Sequence, residues 1–566
     1  MVSSEGGWPK KLVTQNQPNR YLLLKYNDCD LWLGFCLPLT ILARLRSKWS
    51  TYLNPSHPSS DSAIKMKLTL SLFLITGSLF TVANASLRGT AGANANMMAT
   101  VEKNEVECRV TVNTMMEEVG SGPSARLHEV VCLPINENGV ETDGVFPIVL
   151  PKEVIEEHKK AIHSGRLYLK IRGAAHVEDE SLTVADDAEF DVYGSDEETL
   201  PNHLRRLEQG RKLQAKTGTR TIAVVRIKTA DNKVTQWSAS QLEKGLFGNG
   251  VNSDGITFAN QYKLCSDGKL TLKLKEPVIE IKLTKNLNQY TVDSMQIEVQ
   301  KTIKQARGIG SLTQLADNTM FIMPEGMGFT ASAPVNHWRS SYHNLWGLSL
   351  AGTMHELGHN LGLGHAWEDN AAYQDYSGYM AAGGTATNEP QTCFNGFNMN
   401  ALGWFNDKTT SINTAKIGKN TAELYKVSAF VDYDRAKTYE PVLLNINNAE
   451  FVLQYNRKSR HNIGTREKGN LLTVTEAEPK GQAASNMIRG LDVGQEMARN
   501  SRQGQRMVIK VCKKVSGNGS SPDALIVSVG NNADACNREW KPPVDEGNSF
   551  VLNMAVTETA PRTTAI

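Results

Sequence analysis

The stretch from Thr353 to Ala366 reads TMHELGHNLGLGHA, which sets His355, Glu356, His359, Gly362 and His365 in the order H-E-x-x-H-x-x-G-x-x-H. Residues four apart share one face of a helix, so His355 and His359 direct two imidazoles at a single point, the spacing of a zinc-binding pair. Glu356 lies beside them, placed to take a proton from an attacking water as general base. Gly362 is expected to break the helix, because glycine reaches left-handed backbone at little cost, and so to return the chain with His365 as a third ligand. Three protein ligands leave a fourth position open, which is the catalytic rather than the structural arrangement. Zn²⁺ is the expected cofactor, and the chemistry expected of this set is hydrolysis of a peptide bond. A purely structural metal site has no use for Glu356.

Downstream, the chain runs YQDYSGYMAAGG from Tyr373 to Gly384 and CFNGFNMNALGWF from Cys393 to Phe405. Together with GHNLGLGHA, these segments resemble the gametolysin family of metzincin-type zinc metallopeptidases, the algal cell-wall lysins, and especially its diatom-like members. CSDGKL at Cys265 to Leu270 adds to a resemblance that runs from about Thr217 to beyond Gly464. The resemblance implies a methionine-containing turn beneath the metal, with Met380 at the matching position and Met399 as a lesser candidate. A methionine in such a turn acts by packing, as methionines do in cores. The resemblance also implies an α+β metzincin-like catalytic domain, an extended substrate strand against a sheet edge, and extracellular-matrix or cell-wall proteins as substrates.

At 566 residues, two to four domains are expected. With 61 basic against 59 acidic residues the net charge is +2, so no overall field marks a nucleic-acid binder. Lys65, Met66 and Lys67 precede a mostly apolar run, Leu68 to Val82, and Ala83-Asn84-Ala85 supplies a small-x-small cleavage site before Ser86. That is the pattern of a secretory signal peptide over 66–85. It predicts export to the extracellular space or cell wall, and it makes 1–65 a spurious extension from a mispredicted start. The alternative is a membrane anchor, but the run is short of the roughly twenty residues needed to span a bilayer and carries several Thr and Ser. No stable membrane insertion is expected.

Cysteine usage agrees with export. Cys29 and Cys36 fall in the suspect extension, leaving Cys108, Cys132, Cys265, Cys393, Cys512 and Cys536. Proximity favours Cys108 with Cys132 and Cys512 with Cys536, which leaves Cys265 with Cys393. A latent metallopeptidase can instead be blocked by a propeptide thiolate on the metal. Neither Cys108 nor Cys132 stands in the Pro-Arg-Cys-Gly context of such switches, a departure from the gametolysin pattern.

Residues 86–212 have the character of a zymogen propeptide. Glu107 to Val112 and Arg166 to Ile171 alternate as in short strands, and the acidic run Glu178 to Glu198 is expected to be a flexible linker. Basic pairs come next at Arg205-Arg206 and Arg211-Lys212, candidate cleavage sites unless they merely balance the acidic run on a helix.

Residues 213–425 are assigned to the peptidase domain. Strands are expected at Arg220 to Ile227, Val278 to Leu283 and Met320 to Met323, with helices at Val292 to Arg307 and Trp346 to Leu363. Residues 426–566 read as a β-rich, sandwich-like C-terminal domain, with short apolar runs at Tyr425 to Val431, Pro441 to Ile446, Glu450 to Tyr455, Leu471 to Thr475, Met507 to Val511 and Ala524 to Val529. His337 and His343 are expected to serve packing rather than metal binding. Tyr373, Tyr376 and Tyr379 are candidates to donate a hydrogen bond to the tetrahedral intermediate. The expected function is a secreted zinc endopeptidase acting on protein or glycoprotein substrates. The alternative is a weakly active or inactive wall or adhesion protein that retains the zinc site.

Overall fold

The computed structural model describes residues 102–543, apart from gaps at 120–121, 137–138, 164, 179–180, 185–187, 194–199, 213–215, 251, 370, 382–390 and 478–483. The expected extension and signal segment, with Cys29 and Cys36, lie outside the described residues. The architecture is mixed α/β, with several sheets and few helices.

The N-terminal sheet comprises β1 (Glu102–Val119), β2 (Gly122–Ile135), β3 (Phe146–Pro147), β4 (Leu167–Glu178), β5 (Ser181–Val184) and β6 (Glu189–Tyr193), with helices α1 (Lys152–His163) and α2 (Asn202–Lys212). Its order is β3-β2-β1-β4-β5, with β6 also on β4. Alternation along β1 turns Val106, Cys108, Val110 and Val112 into one core with Leu167, Leu169 and Ile171. A strand with one wet face would leave the intervening residues in water, yet Arg109 and Thr111 are buried as well. Both faces of β1 are therefore covered there.

The acidic run Glu178 to Glu198 is not simply a linker, since it contains β5 and β6, both antiparallel to β4. The reason is alternation. Leu182 is buried and Phe190 and Val192 pack on the same core, while Asp191 turns outward to pair with Arg172. The basic pairs at 205–206 and 211–212 fall on α2 rather than in extended chain.

The middle of the chain supplies β7 (Gly218–Lys228), α3 (Ala239–Phe247), α4 (Phe258–Cys265), β8 (Leu270–Leu274), β9 (Ile279–Lys282), α5 (Val292–Arg307), β10 (Asn318–Met323), β11 (Ala331–Ser332), β12 (Arg339–His343) and α6 (Leu350–Asn360). The sheet order is β11-β12-β10-β7-β8, with β9 also on β7; β11 is antiparallel to its neighbour and the other pairings are parallel. The apolar run of β7 is buried on both sides, as a central parallel strand requires. The stripe expected on α5 packs Met295, Val299 and Ile303 beneath the sheet, and Gly308, at φ 63°, ends that helix.

The remaining elements are β13 (Ala366–Glu368), β14 (Ala371–Ala372), α7 (Gly396–Leu402), β15 (Thr409–Ile412), β16 (Thr421–Ser428), β17 (Leu443–Ile446), β18 (Phe451–Asn456), β19 (Leu471–Ala477), β20 (Ser485–Leu491), β21 (Glu496–Asn500), β22 (Arg506–Val515) and β23 (Ala524–Asn531). One sheet runs β14-β13-β20-β19-β18-β17-β15 and the other β16-β23-β22-β21. Leu453 and Val474 of the first share a core with Ile509 and Val527 of the second, and with Met354 and Leu357 of α6. The strand directly after His365, β13, pairs in parallel with β20, so this sheet takes strands from both sides of residue 425. Disulfides join Cys108 to Cys132, Cys265 to Cys393 and Cys512 to Cys536, the pairing expected from the sequence. No helix among the described residues is long and apolar enough to cross a membrane.

Candidate metal centre

Helix α6 is shorter than the expected Trp346 to Leu363. A 3₁₀ turn occupies Asn344–Leu348, and Ser349 then caps α6 by accepting from the Gly352 N–H at 3.1 Å. At the other end the Leu363 N–H reaches the Gly358 carbonyl at 3.0 Å and the Gly362 N–H reaches that of His359 at 2.8 Å, the paired bonds of a Schellman ending. Gly362 has φ +92°, and a Cβ there would stand 2.4 Å from Asn336 Oδ1. Both the backbone angle and the space demand glycine, and the turn brings His365 back over α6.

The three histidines converge. One ring nitrogen from each of His355, His359 and His365 lies within 4.8 Å of the others. The residues are 7%, 3% and 2% exposed, and Glu356 is 3% exposed, so this is an interior cluster rather than a surface coincidence. His355 Nδ1 is 2.7 Å from the Tyr379 carbonyl and His359 Nδ1 is 2.8 Å from that of Leu363. A carbonyl only accepts, so each Nδ1 carries the hydrogen and each Nε2 presents a lone pair. The two Nε2 atoms are 3.0 Å apart, and facing lone pairs at that distance call for a shared cation. Tetrahedral zinc with nitrogen ligands spaces them by roughly 3.4 Å, so the donor set and its spacing fit that ion.

Tyr373 stacks, tilted by 35°, on the third histidine, His365, with ring centroids 3.7 Å apart, and its own backbone sits at φ 67°. Met380 lies directly beneath α6, where a Cβ on Gly358 would meet its sulfur at 2.6 Å. The glycine between the two helical histidines is thus the residue that lets the methionine approach. The other candidate, Met399, accepts from Gln454 at 2.8 Å in the neighbouring core. Asp375 holds the turn before Met380: it accepts from the Ser377 N–H at 3.0 Å, from the Ser377 hydroxyl, and from Asn395 Nδ2 at 2.9 Å, while burial raises its carboxyl above the ordinary aspartate value.

Burial likewise pushes the Glu356 carboxyl well above its usual range. Among the three tyrosines, the Tyr379 hydroxyl accepts from the Thr392 N–H at 3.2 Å, a structural task; Tyr373 stacks as described. His343 Nε2 accepts from the Gly326 and Met327 N–H groups at 3.0 and 3.3 Å, and His337 packs on Trp338, so neither joins the cluster. The carbonyl acceptors of Tyr379 and Leu363 left no signal in the sequence, because every residue has a carbonyl and the fold alone selects which one meets a ring.

A buried three-histidine cluster with an adjoining carboxylate is a site of the metallopeptidase class. Residues 234–440 match the family model described as gametolysin peptidase M11, and the match supports membership of the gametolysin family. That family suggests metallopeptidase activity. No curated protein matches the chain.

Proposed function

We propose that this protein is a secreted zinc-dependent endopeptidase of metzincin type, made as a zymogen and acting on extracellular-matrix or cell-wall proteins. The observation that carries the reading is the convergence of His355, His359 and His365 beside buried Glu356. His355, His359 and His365 would hold the ion, with Met380 and Gly362 shaping the floor and the return of the chain. A bound Zn²⁺ supplies Lewis acidity toward the scissile carbonyl and lowers the pKa of a water at the site. Glu356 accepts the proton of the attacking water and passes it to the leaving amine, a role its position on α6 one residue after His355 supports. Tyr373 keeps the His365 ring oriented. The matrix or cell-wall substrate class comes from the family resemblance.

The test is cleavage of casein or gelatin by the purified chain, abolished by a chelator and restored by zinc. Absence of cleavage at full zinc occupancy would favour a noncatalytic binding protein. For the ligand set, His365→Ala is expected to leave less than one zinc per chain after dialysis, because two imidazoles hold the ion far more weakly than three. Full retention would place the third ligand elsewhere. Export predicts that protein recovered from the medium begins at Ser86, or after one of the basic pairs between Arg205 and Lys212. N-terminal sequencing checks this, and secreted material carrying residues 1–65 would defeat it.

A further inference from the structure

Strand β11 stands at the edge of the central sheet and pairs, among the described residues, with β12 alone. An edge strand offers unpaired main-chain groups to an extended peptide, the usual way a cleft binds a polypeptide. Here that edge is covered. Thr330, Ala331, Ser332, Ala333 and Val335 are all buried, and β1 of the N-terminal sheet packs against β11 with no ladder between them among the described residues.

The contact is anchored by a charge. Arg109 is fully buried; its Nη1 donates to the Val335 carbonyl at 2.7 Å and to that of Gly165 at 3.2 Å, and its Nη2 donates to Glu141 Oε1 at 2.8 Å. Gly165 leaves room for it, since a Cβ there would stand 2.7 Å from Nη1. On the same seam Asp143 accepts from Ser311 Oγ at 2.8 Å and pairs with Lys304 at 3.3 Å. The residue after Val335 donates its N–H to the His359 carbonyl at 2.8 Å. One peptide unit therefore separates the Arg109 anchor from the helix that bears the metal ligands. A buried guanidinium is costly unless its geometry is well matched, so one held through both Nη atoms at a junction specifies that junction rather than merely gluing it.

We propose that the N-terminal sheet is an inhibitor docked across the peptide-binding edge β11, latched by the Arg109–Glu141 pair and independent of any thiolate. The proposal rests on the peptidase reading and names how that site is held closed. Cys108 and Cys132 are joined to each other, so the block is one of covering rather than ligation. The covering partner is this chain's own N-terminal sheet, and loss of the Arg109 contacts opens the edge.

The experiment uses the intact, zinc-loaded chain and compares wild type with Arg109→Met and Glu141→Gln. Hydrogen exchange is followed in the segment 329–336, and cleavage of a quenched fluorescent peptide is followed alongside. Arg109→Met is expected to raise both exchange and initial rate, the rate by about tenfold or more, with zinc content unchanged; Glu141→Gln should move both in the same direction by less. If Arg109→Met loosens the N-terminal sheet altogether, both readouts still rise, because the cover is gone. Unchanged exchange at 329–336 in Arg109→Met, or a wild-type chain that cleaves as fast as the variant, would overturn the latch. If exchange rises while neither the variants nor trypsin-treated chain cleave the peptide, the docking is upheld and the peptidase reading is what fails.

Discussion

Glu356→Gln is expected to keep its zinc and to lower kcat by about 10²- to 10⁴-fold, the usual contribution of a positioned general base. Glutamine has the shape of glutamate and no proton-accepting carboxylate. The ligand orientation does not depend on Glu356, because the Tyr379 and Leu363 carbonyls set the tautomers of His355 and His359. Burial pushes the Glu356 carboxyl well above its usual range, and a dication beside it would favour the charged form again, so the base is expected to be competent when the site is loaded. Turnover and metal content measured on one preparation check this. A zinc-loaded variant of near wild-type activity would remove Glu356 from the mechanism.

A chain ending at Glu440, where the family match ends, is expected not to fold. Deleting the β-rich region beyond Glu440 takes away β20, the partner of β13 immediately after His365. It also removes Asn462, whose Oδ1 accepts from the Cys393 N–H and the Thr392 hydroxyl at 3.0 Å each, and Ser485, which accepts from Asn395 at 2.7 Å. Thr465, which donates to the Ser377 carbonyl at 3.2 Å in the turn before Met380, is lost with them. Phe394, Phe397, Met399 and Leu402 belong to a core shared with Val452, Leu453, Leu472 and Val474, and truncation opens it. At about 1.5–3 kcal/mol for each large apolar side chain uncovered, these four alone approach the whole stability of an ordinary domain, about 5–15 kcal/mol. Solubility and thermal melting of the truncated chain decide the matter. A monomer with a cooperative melt and bound zinc would show that the β-rich region is dispensable.

The three-histidine cluster was legible in the sequence because its logic is local. The spacing of His355 and His359 is a helix repeat, Gly362 must sit where the chain turns left-handed, and the pairings of the six described cysteines came from proximity and parity. The periodicity of Val292 to Arg307 is likewise a property of consecutive residues, and α5 spans that range. The acidic run Glu178 to Glu198 misled for the converse reason. Its charge is conspicuous, whereas the alternation of Leu182, Phe190 and Val192 becomes meaningful once β4 is beside it. The strands β20 and β21 passed unnoticed because their buried residues are sparse, even though their antiparallel partners β19 and β22 are next to them in the chain. What tertiary structure alone decided lies between segments remote in sequence: Met380 beneath Gly358, β13 joined to β20, and Arg109 on the carbonyl of Val335, a separation of 226 residues. Local pattern determines which residues could hold a metal, since helix geometry and glycine conformation act over a few residues. Which carbonyl orients each imidazole, and which sheet covers the neighbouring edge, depends on long-range packing that no single stretch of this chain encodes.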